Sequence, residues 1–126
     1  MAHRTVSADR VLVPTAAGAT RRPEPDCPVE VALAAISGRW TTLVLRDLMA
    51  GPLAYGELRR GLPELSDKVL VERLTALRDR GLVARHEHAG FPTRVVYELT
   101  DAGRALRPLL VELYRTGEEL QQAPRT

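Results

Sequence analysis

Cysteine is almost absent from the 126-residue sequence, which contains only Cys27. A single cysteine cannot form an internal disulfide, so no covalent cross-link is expected to stabilise the fold. The three histidines are scattered, and together with one cysteine they cannot supply a structural zinc site. We therefore expect a fold that depends on neither a metal nor any other cofactor.

Long apolar runs are also missing, although hydrophobic residues make up 44% of the composition. No run approaches the ~20 residues that a membrane-spanning helix requires. The segment VLVP at 11–14 is too short for the apolar region of a secretory signal and is broken by Pro14. We expect a cytoplasmic protein with no membrane partner, and this length suits one domain with one core.

Signatures of catalysis are missing as well. The chain has no phosphate-binding loop, no dinucleotide-binding fingerprint, and no nucleophile and base in a recognisable spacing. His86 and His88 would share one side of a strand, but no third metal ligand lies near them in the sequence. These absences predict that the protein is not an enzyme.

Basic residues are abundant, but Lys68 is the only lysine among 18 of them. The formal net charge is +2, and it is unevenly distributed along the chain. Residues 39–94 contain ten basic and seven acidic side chains, whereas residues 95–120 contain three and five. A basic surface in the middle of the chain is compatible with a nucleic-acid partner, and an ordinary solvated surface is the alternative.

Composition divides the chain into three parts. Residues 1–26 mix small, charged and proline residues without a sustained hydrophobic period, which predicts a flexible N-terminal tail. Residues 27–120 are expected to form the folded domain, and residues 121–126 a C-terminal tail.

Four helices are predicted before any strand. Pro28 suits the first helical position, and Gly38 closes that helix. The second helix follows and ends at Gly51-Pro52, and a third, shorter one lies in AYGELRRGL. We interpret four side chains in these two helices as core residues: Trp40, Leu43, Tyr55 and Leu58.

The fourth helix is predicted over 66–80, with Ser66 as its cap and Gly81 just beyond its end. Its leucines recur at helical spacing and form one inward stripe: Leu70, Leu74 and Leu77. At about 100° per residue, Lys68, Glu72 and Thr75 lie opposite this stripe, and Arg73 lies to its side.

After Gly81 the hydrophobic pattern becomes alternating, which predicts a hairpin of LVARHEH and RVVYELT around the loop GFPTR. Thr100 then opens a last helix, in which Pro108 is expected to cause a kink.

This order of elements predicts a mainly α (α+β) fold, a winged helix-turn-helix with a two- to three-stranded wing hairpin and extra N- and C-terminal dimerisation helices. In this layout the recognition helix enters the major groove and the hairpin follows the DNA backbone. Lys68 could reach guanine or phosphate, Glu72 could accept from cytosine N4, and Arg94 could meet phosphate or a minor groove. The predicted DNA-binding residues are Ser66, Asp67, Lys68, Glu72, Arg73, Arg94, Arg39, Arg59, Arg60 and Thr93.

Six short motifs carry a family resemblance: Cys-Pro at 27–28, Gly-Arg-Trp at 38–40, Tyr-Gly-Glu-Leu-Arg at 55–59, Ser-x-Lys-x-Leu at 66–70, Gly-Leu-Val at 81–83 and Tyr-Glu-Leu-Thr at 97–100. Together they resemble the HxlR-type family of bacterial winged helix-turn-helix transcriptional regulators over about 27–120. The resemblance implies a homodimer that binds double-stranded DNA at a pseudo-palindromic operator. Glu72 and the long N-terminal tail depart from the family pattern, and Glu72 leaves the preferred DNA sequence open.

The resemblance also implies that the first and last helices form the dimer contact. Independently, the last helix has more apolar surface than a small winged core can cover, which favours a partner chain. Packing of this helix onto its own domain is the alternative. The predicted dimerisation residues are Val29, Leu33, Leu106, Leu109, Leu110, Leu113, Tyr114 and Leu120.

Cys27 matches a cysteine that some members of the family use to sense oxidants or electrophiles. Its place at the start of a helix favours a thiolate, whereas Asp26 and Glu30 oppose one. An inert, buried residue is an equally open interpretation. An unknown small-molecule effector, a ligand carrier and a winged-helix protein–protein interaction module also remain as alternatives.

Overall fold

The computed structural model of the chain describes residues 10–125. Contacts group the chain into two units, Met1–Ser37 and Gly38–Thr126. The predicted N-terminal tail lies partly outside the described residues, and its described part contains one turn of 3-10 helix, Ala16–Gly18.

In the described part of the first unit, the chain forms helix α1, Pro28–Ala35. Pro28 occupies the first helical position, where its missing N–H costs nothing. Cys27 is the N-cap residue and is buried, at 5% exposure. Val29 and Leu33 remain more than half exposed.

Residues 38–125 form five helices and three strands. Their bounds are α2 Thr41–Met49, β1 Leu53–Ala54, α3 Tyr55–Gly61, α4 Asp67–Asp79, β2 Val83–His88, β3 Arg94–Leu99, α5 Asp101–Arg104 and α6 Arg107–Gln122. This order confirms the predicted mainly α (α+β) winged helix-turn-helix fold.

The sheet has three antiparallel strands in the order β1-β3-β2. Strands β2 and β3 are the predicted hairpin, and β1 pairs through Leu53 with Tyr97 of β3. The prediction of four helices before any strand is therefore wrong, because β1 precedes α3. A strand of two residues is too short to show an alternating pattern.

The predicted last helix is broken rather than kinked. It is divided into α5 and α6 at residues 105–106, and Pro108 lies in the first turn of α6. Proline fits there because the first helical N–H groups have no intrahelical acceptor. Helix α6 continues to Gln122, past the predicted domain boundary at residue 120.

Aliphatic side chains from α2, α3, the turn before α4, and α4 itself form the core of the second unit. The fully buried ones are Val44, Leu45, Leu48, Leu58, Leu65, Leu70, Leu74 and Leu77.

Of the four side chains predicted as core in α2 and α3, only Leu58 is fully buried, and Trp40, Leu43 and Tyr55 are half-buried. Trp40 precedes α2 with a left-handed φ of 78°, so it does not share the inward stripe of that helix.

Candidate nucleic-acid interface

The outer side of α4 is a polar surface with one apolar residue in it. The inward leucines Leu70, Leu74 and Leu77 are at most 2% exposed. The opposite side has four exposed side chains, as the helical period predicts: Lys68, Glu72, Thr75 and, in the last turn, Asp79. Val71 is exposed at the edge of this side. We call Lys68, Val71, Glu72 and Thr75 the outer face of α4.

The N-terminus of α4 is capped from within the chain. Ser66 Oγ accepts a hydrogen bond from the Val69 N–H at 3.2 Å, which satisfies one of the free N–H groups of the first turn. The predicted cap is therefore present.

Asp67, the first residue of α4, is bonded to α3. Its Oδ1 accepts from the Tyr55 hydroxyl at 2.7 Å and pairs with Arg59 Nε at 2.8 Å. Arg59 also donates through Nη1 to the Leu65 carbonyl. Asp67 and Arg59, both predicted to contact DNA, are thus engaged within the protein, where they fix α4 against α3.

The Tyr55 phenol is held in its protonated form. Burial first, and then the hydrogen bond to Asp67, raise the pKa of Tyr55 to about 12. The hydroxyl therefore remains a donor to Asp67 throughout the neutral range.

Arg73 ties α4 to the residues before α2. Its Nε donates to the Arg39 carbonyl at 2.7 Å, across 34 residues of sequence. Its guanidinium also lies against Gly38, where an added Cβ would come 3.2 Å from Arg73 Cζ, and where φ is 99°. The Nη atoms of Arg73 have no hydrogen-bond partner among the described residues, so they remain available to a phosphate.

The wing is the hairpin of β2 and β3 with its loop at 89–93, in which Phe91 is fully exposed. At the base of the loop, Arg94 is 65% exposed, and its Nη2 lies 3.8 Å from Glu57 Oε1. Glu57 Oε1 also accepts from the Ala54 N–H at 2.8 Å. Because the Arg94 ion pair is long and solvated, it costs little to exchange it for a phosphate.

Thr93 and Arg94 come together with the start of α3. They line a cleft of about 390 Å³ whose other walls include Tyr55, Gly56 and Arg85. The structure therefore places the base of the wing beside the first turn of α3.

Several other residues that were predicted to contact DNA have side chains without a partner in the described part of the chain. In residues 10–125, no hydrogen bond or ion pair engages the side chains of Arg39, Arg60, Lys68 or Glu72. Three cations and one carboxylate are therefore available to a ligand.

Two of these interface residues were missed by sequence analysis. Tyr55 was assigned to the core. Its hydrogen bond to Asp67 joins two helices, and no periodicity or motif in the sequence links these two positions. Val71 was passed over, although it lies about 100° from Leu70 and this angle alone places it next to Lys68 and Thr75.

The Cys27 thiol lies beside the backbone of the first turn of α1. The N–H groups of Glu30 and then Val29 lower the pKa of Cys27, and the Thr20 side chain adds to this. Burial and the Glu30 carboxylate oppose the shift without reversing it. As predicted, the start of the helix and the Glu30 carboxylate shift the pKa of Cys27 in opposite directions. The net shift is downward, in the direction set by the helix start.

Helix α6 has no buried residue. Leu113 is 43% exposed, Tyr114 72% and Leu120 70%, whereas Leu106, Leu109 and Leu110 are half-buried. Residues of α2 and α6 line a cleft of about 610 Å³ between them. The second unit therefore covers the apolar side of its own last helix only in part.

The histidines of β2 do not gather metal ligands. His86 Nε2 lies 3.1 Å from Glu98 Oε1, and residues 10–125 contain no group of three or more His, Cys, Asp or Glu side chains placed to hold a metal ion. Every helix in the same range is too short or too polar to cross a membrane.

Comparison with known proteins identifies the family. The model of the HxlR-like helix-turn-helix family matches residues 35–124. The uncharacterized HTH-type transcriptional regulator YkvN of Bacillus subtilis (strain 168) is 40% identical over 91 residues, which cover 72% of this chain and 77% of YkvN.

Two solved structures are similar throughout the winged domain. One, from Porphyromonas gingivalis W83 and assigned to the MarR family of transcriptional regulators, has a TM-score of 0.72 and 31% identity, covering 79% of this chain and 98% of that one. The other, the redox regulator HypR in its reduced form, has a TM-score of 0.69 and 31% identity, covering 75% and 93%.

The fold and the outer face of α4 define a helix-turn-helix protein, and the chain belongs to the HxlR-like helix-turn-helix family. It is a transcriptional regulator. Because its relatives are regulators rather than enzymes, the predicted family and the predicted absence of enzymatic activity are both confirmed.

Proposed function

We propose that the protein is a homodimeric, sequence-specific DNA-binding regulator that acts in the cytoplasm. Helix α4 enters the major groove, and the wing meets the adjacent backbone or minor groove of a pseudo-palindromic operator. One observation carries this proposal: α4 is fixed on both sides, by Asp67 to α3 and by Arg73 to Arg39, while Lys68 and Glu72 remain unpaired.

The fixed position of α4 supports binding because little order has to be gained when DNA arrives. The major groove is wide enough for a helix, and its edges present donors and acceptors to side chains. Lys68 suits guanine or a phosphate. The Glu72 carboxylate would be repelled by phosphate, so it suits the cytosine amino group.

The remaining predicted contacts suit the DNA backbone. Arg39, Arg60, Thr93 and Arg94 are exposed, and the start of α4 carries the positive end of the helix dipole, which favours phosphate oxygens. In this arrangement Asp67 and Arg59 act as positioning residues, because their side chains hold α4 rather than reach the ligand.

Mobility-shift titrations with duplexes from the protein's own upstream region test the proposal. We expect a specific complex that weakens with salt, and a lower affinity for Lys68→Ala and Arg94→Ala. If Arg94 contacts one phosphate, Arg94→Ala lowers the slope of log affinity against log salt by about 0.9.

Arg115→Ala is the matched control, because it removes the same charge from α6, where Arg115 pairs with Glu112 at 3.0 Å. We expect its titration to match that of the unmodified protein. Absence of any shift at low salt contradicts DNA binding, and purification with another protein but without nucleic acid supports an interaction module instead.

We also propose that Cys27 makes DNA binding sensitive to thiol-reactive compounds. The N–H groups of Glu30 and Val29 favour the reactive thiolate, and a similar structure is that of a redox regulator. Because Cys27 is only 5% exposed, an adduct has to displace the neighbouring chain at the start of α1.

Alkylation of the purified protein with iodoacetamide, followed by DNA titration, tests this second proposal. We expect a changed operator affinity for the native chain and no change for Cys27→Ser. Complete alkylation with unaltered affinity supports the inert, buried role of Cys27.

A further inference from the structure

One member of the outer face of α4 is apolar and does not belong to the buried core. Val71 is 50% exposed, and it lies about 100° around the helix from the buried Leu70. The core of α4 is completed by Leu70, Leu74 and Leu77, which are almost fully buried without it. The exposed part of Val71 therefore contributes little to folding.

Val71 is not isolated on this face. Thr75 lies four residues further on, so the two side chains are neighbours on the helix surface, and both carry methyl groups. Lys68 and Glu72 lie beside them, further from the leucine stripe, and are charged, with no partner among the described residues. The result is a small methyl-lined surface next to an ammonium and a carboxylate.

The major groove offers a single apolar group to such a surface. The C5-methyl of thymine projects into the groove, whereas the other base edges present only hydrogen-bond donors and acceptors. The charged pair beside this surface suits the neighbouring base edges. The chemistry of the outer face thus matches a thymine next to bases that can pair with Lys68 and Glu72.

We propose that Val71, together with the Thr75 methyl, contacts the C5-methyl of one thymine in each half-site and is a specificity-determining residue. This inference rests on the proposed DNA binding by α4. It predicts that the operator contains a thymine whose methyl group, separate from its base pairing, contributes to affinity.

Replacement of thymine by deoxyuridine tests the inference, because it removes the methyl and leaves the Watson–Crick and hydrogen-bonding edges intact. An operator is first selected with the full-length protein from random duplexes, and each thymine of one half-site is then replaced in turn. We expect one position at which the native chain loses about threefold to fivefold in affinity, the effect of one buried methyl.

Val71→Ala should bind the thymine operator weaker by a similar factor and should lose the response to deoxyuridine at that position. Val71→Thr, which keeps one methyl, is the matched control and should retain the response. Equal responses of the native chain and Val71→Ala at every thymine overturn the inference while DNA binding stands. Enrichment of no duplex at low salt overturns both.

Discussion

Among single residues, Tyr55 has a measurable role because its hydroxyl joins α3 to the helix proposed to read DNA. Tyr55→Phe keeps the ring, which lies 6.5 Å from that of Tyr97, and removes only the donor to Asp67. We expect a loss of about 1 kcal/mol in the free energy of unfolding, measured by urea titration. Tyr114→Phe, on a ring that is 72% exposed, is the control and should change little.

The contribution of Tyr55 to the free energy of unfolding should also depend on pH. Its pKa is about 12 in the folded chain against an ordinary value of 10.0, so the folded state favours the protonated phenol. The associated stability is complete below pH 10 and is lost as the pH rises towards 12. Urea titrations from pH 8 to 11.5 should therefore show the difference between the native chain and Tyr55→Phe shrinking above pH 10. A difference that stays constant over this range contradicts the assignment.

Among the elements, α5 packs closely against the residue before β2 at Gly103. A Cβ at Gly103 would overlap the Leu82 carbonyl oxygen, which already accepts from the Thr100 N–H at 3.0 Å. Because this backbone cannot move without breaking that bond, Gly103→Ala should destabilise the fold by about 1–3 kcal/mol.

Gly56→Ala is the matched control for this change. A Cβ there meets only the end of the flexible Arg60 side chain, at 3.3 Å. It should be neutral or stabilising by up to about 1 kcal/mol. Thermal or urea unfolding measures both variants, and an unchanged midpoint for Gly103→Ala would show that α5 is free to shift.

Elements whose signals are local in the sequence could be predicted, and those that depend on distant contacts could not. Helices α1 to α4 and the hairpin were predictable because their caps and periods are local. Strand β1 was not, since two residues carry no period. The helical period was enough to predict that Lys68 and Glu72 point outward. The bonds that fix α4, from Arg73 to Arg39 and from Tyr55 to Asp67, join positions far apart in the sequence and could not be predicted.

For the whole molecule, the uncovered apolar surface is the feature that decides assembly. Helices α1 and α6 both leave aliphatic side chains exposed, and Leu33 and Leu120 are 53% and 70% exposed. An exposed apolar stripe on a helix is typical of an interface, and this holds for each of the two helices taken by itself. We propose a second copy as the partner, because two linked recognition helices would match a two-fold operator and raise overall affinity.

Leu113→Asp tests this assembly, because it places a charge in the stripe that Leu113 forms with Leu109 and Leu120 on α6 and with the N-cap residue Leu106. Light scattering should give twice the monomer mass of 13.9 kDa for the native chain and the monomer mass for the variant. Operator affinity should fall by at least about tenfold, because each half-site is then bound separately. Arg115→Asp places the same carboxylate on the opposite side of α6, with a larger change in net charge, and should leave the dimer intact. A native chain that stays monomeric at micromolar concentration, or a Leu113→Asp variant that stays dimeric, contradicts dimerisation through this stripe.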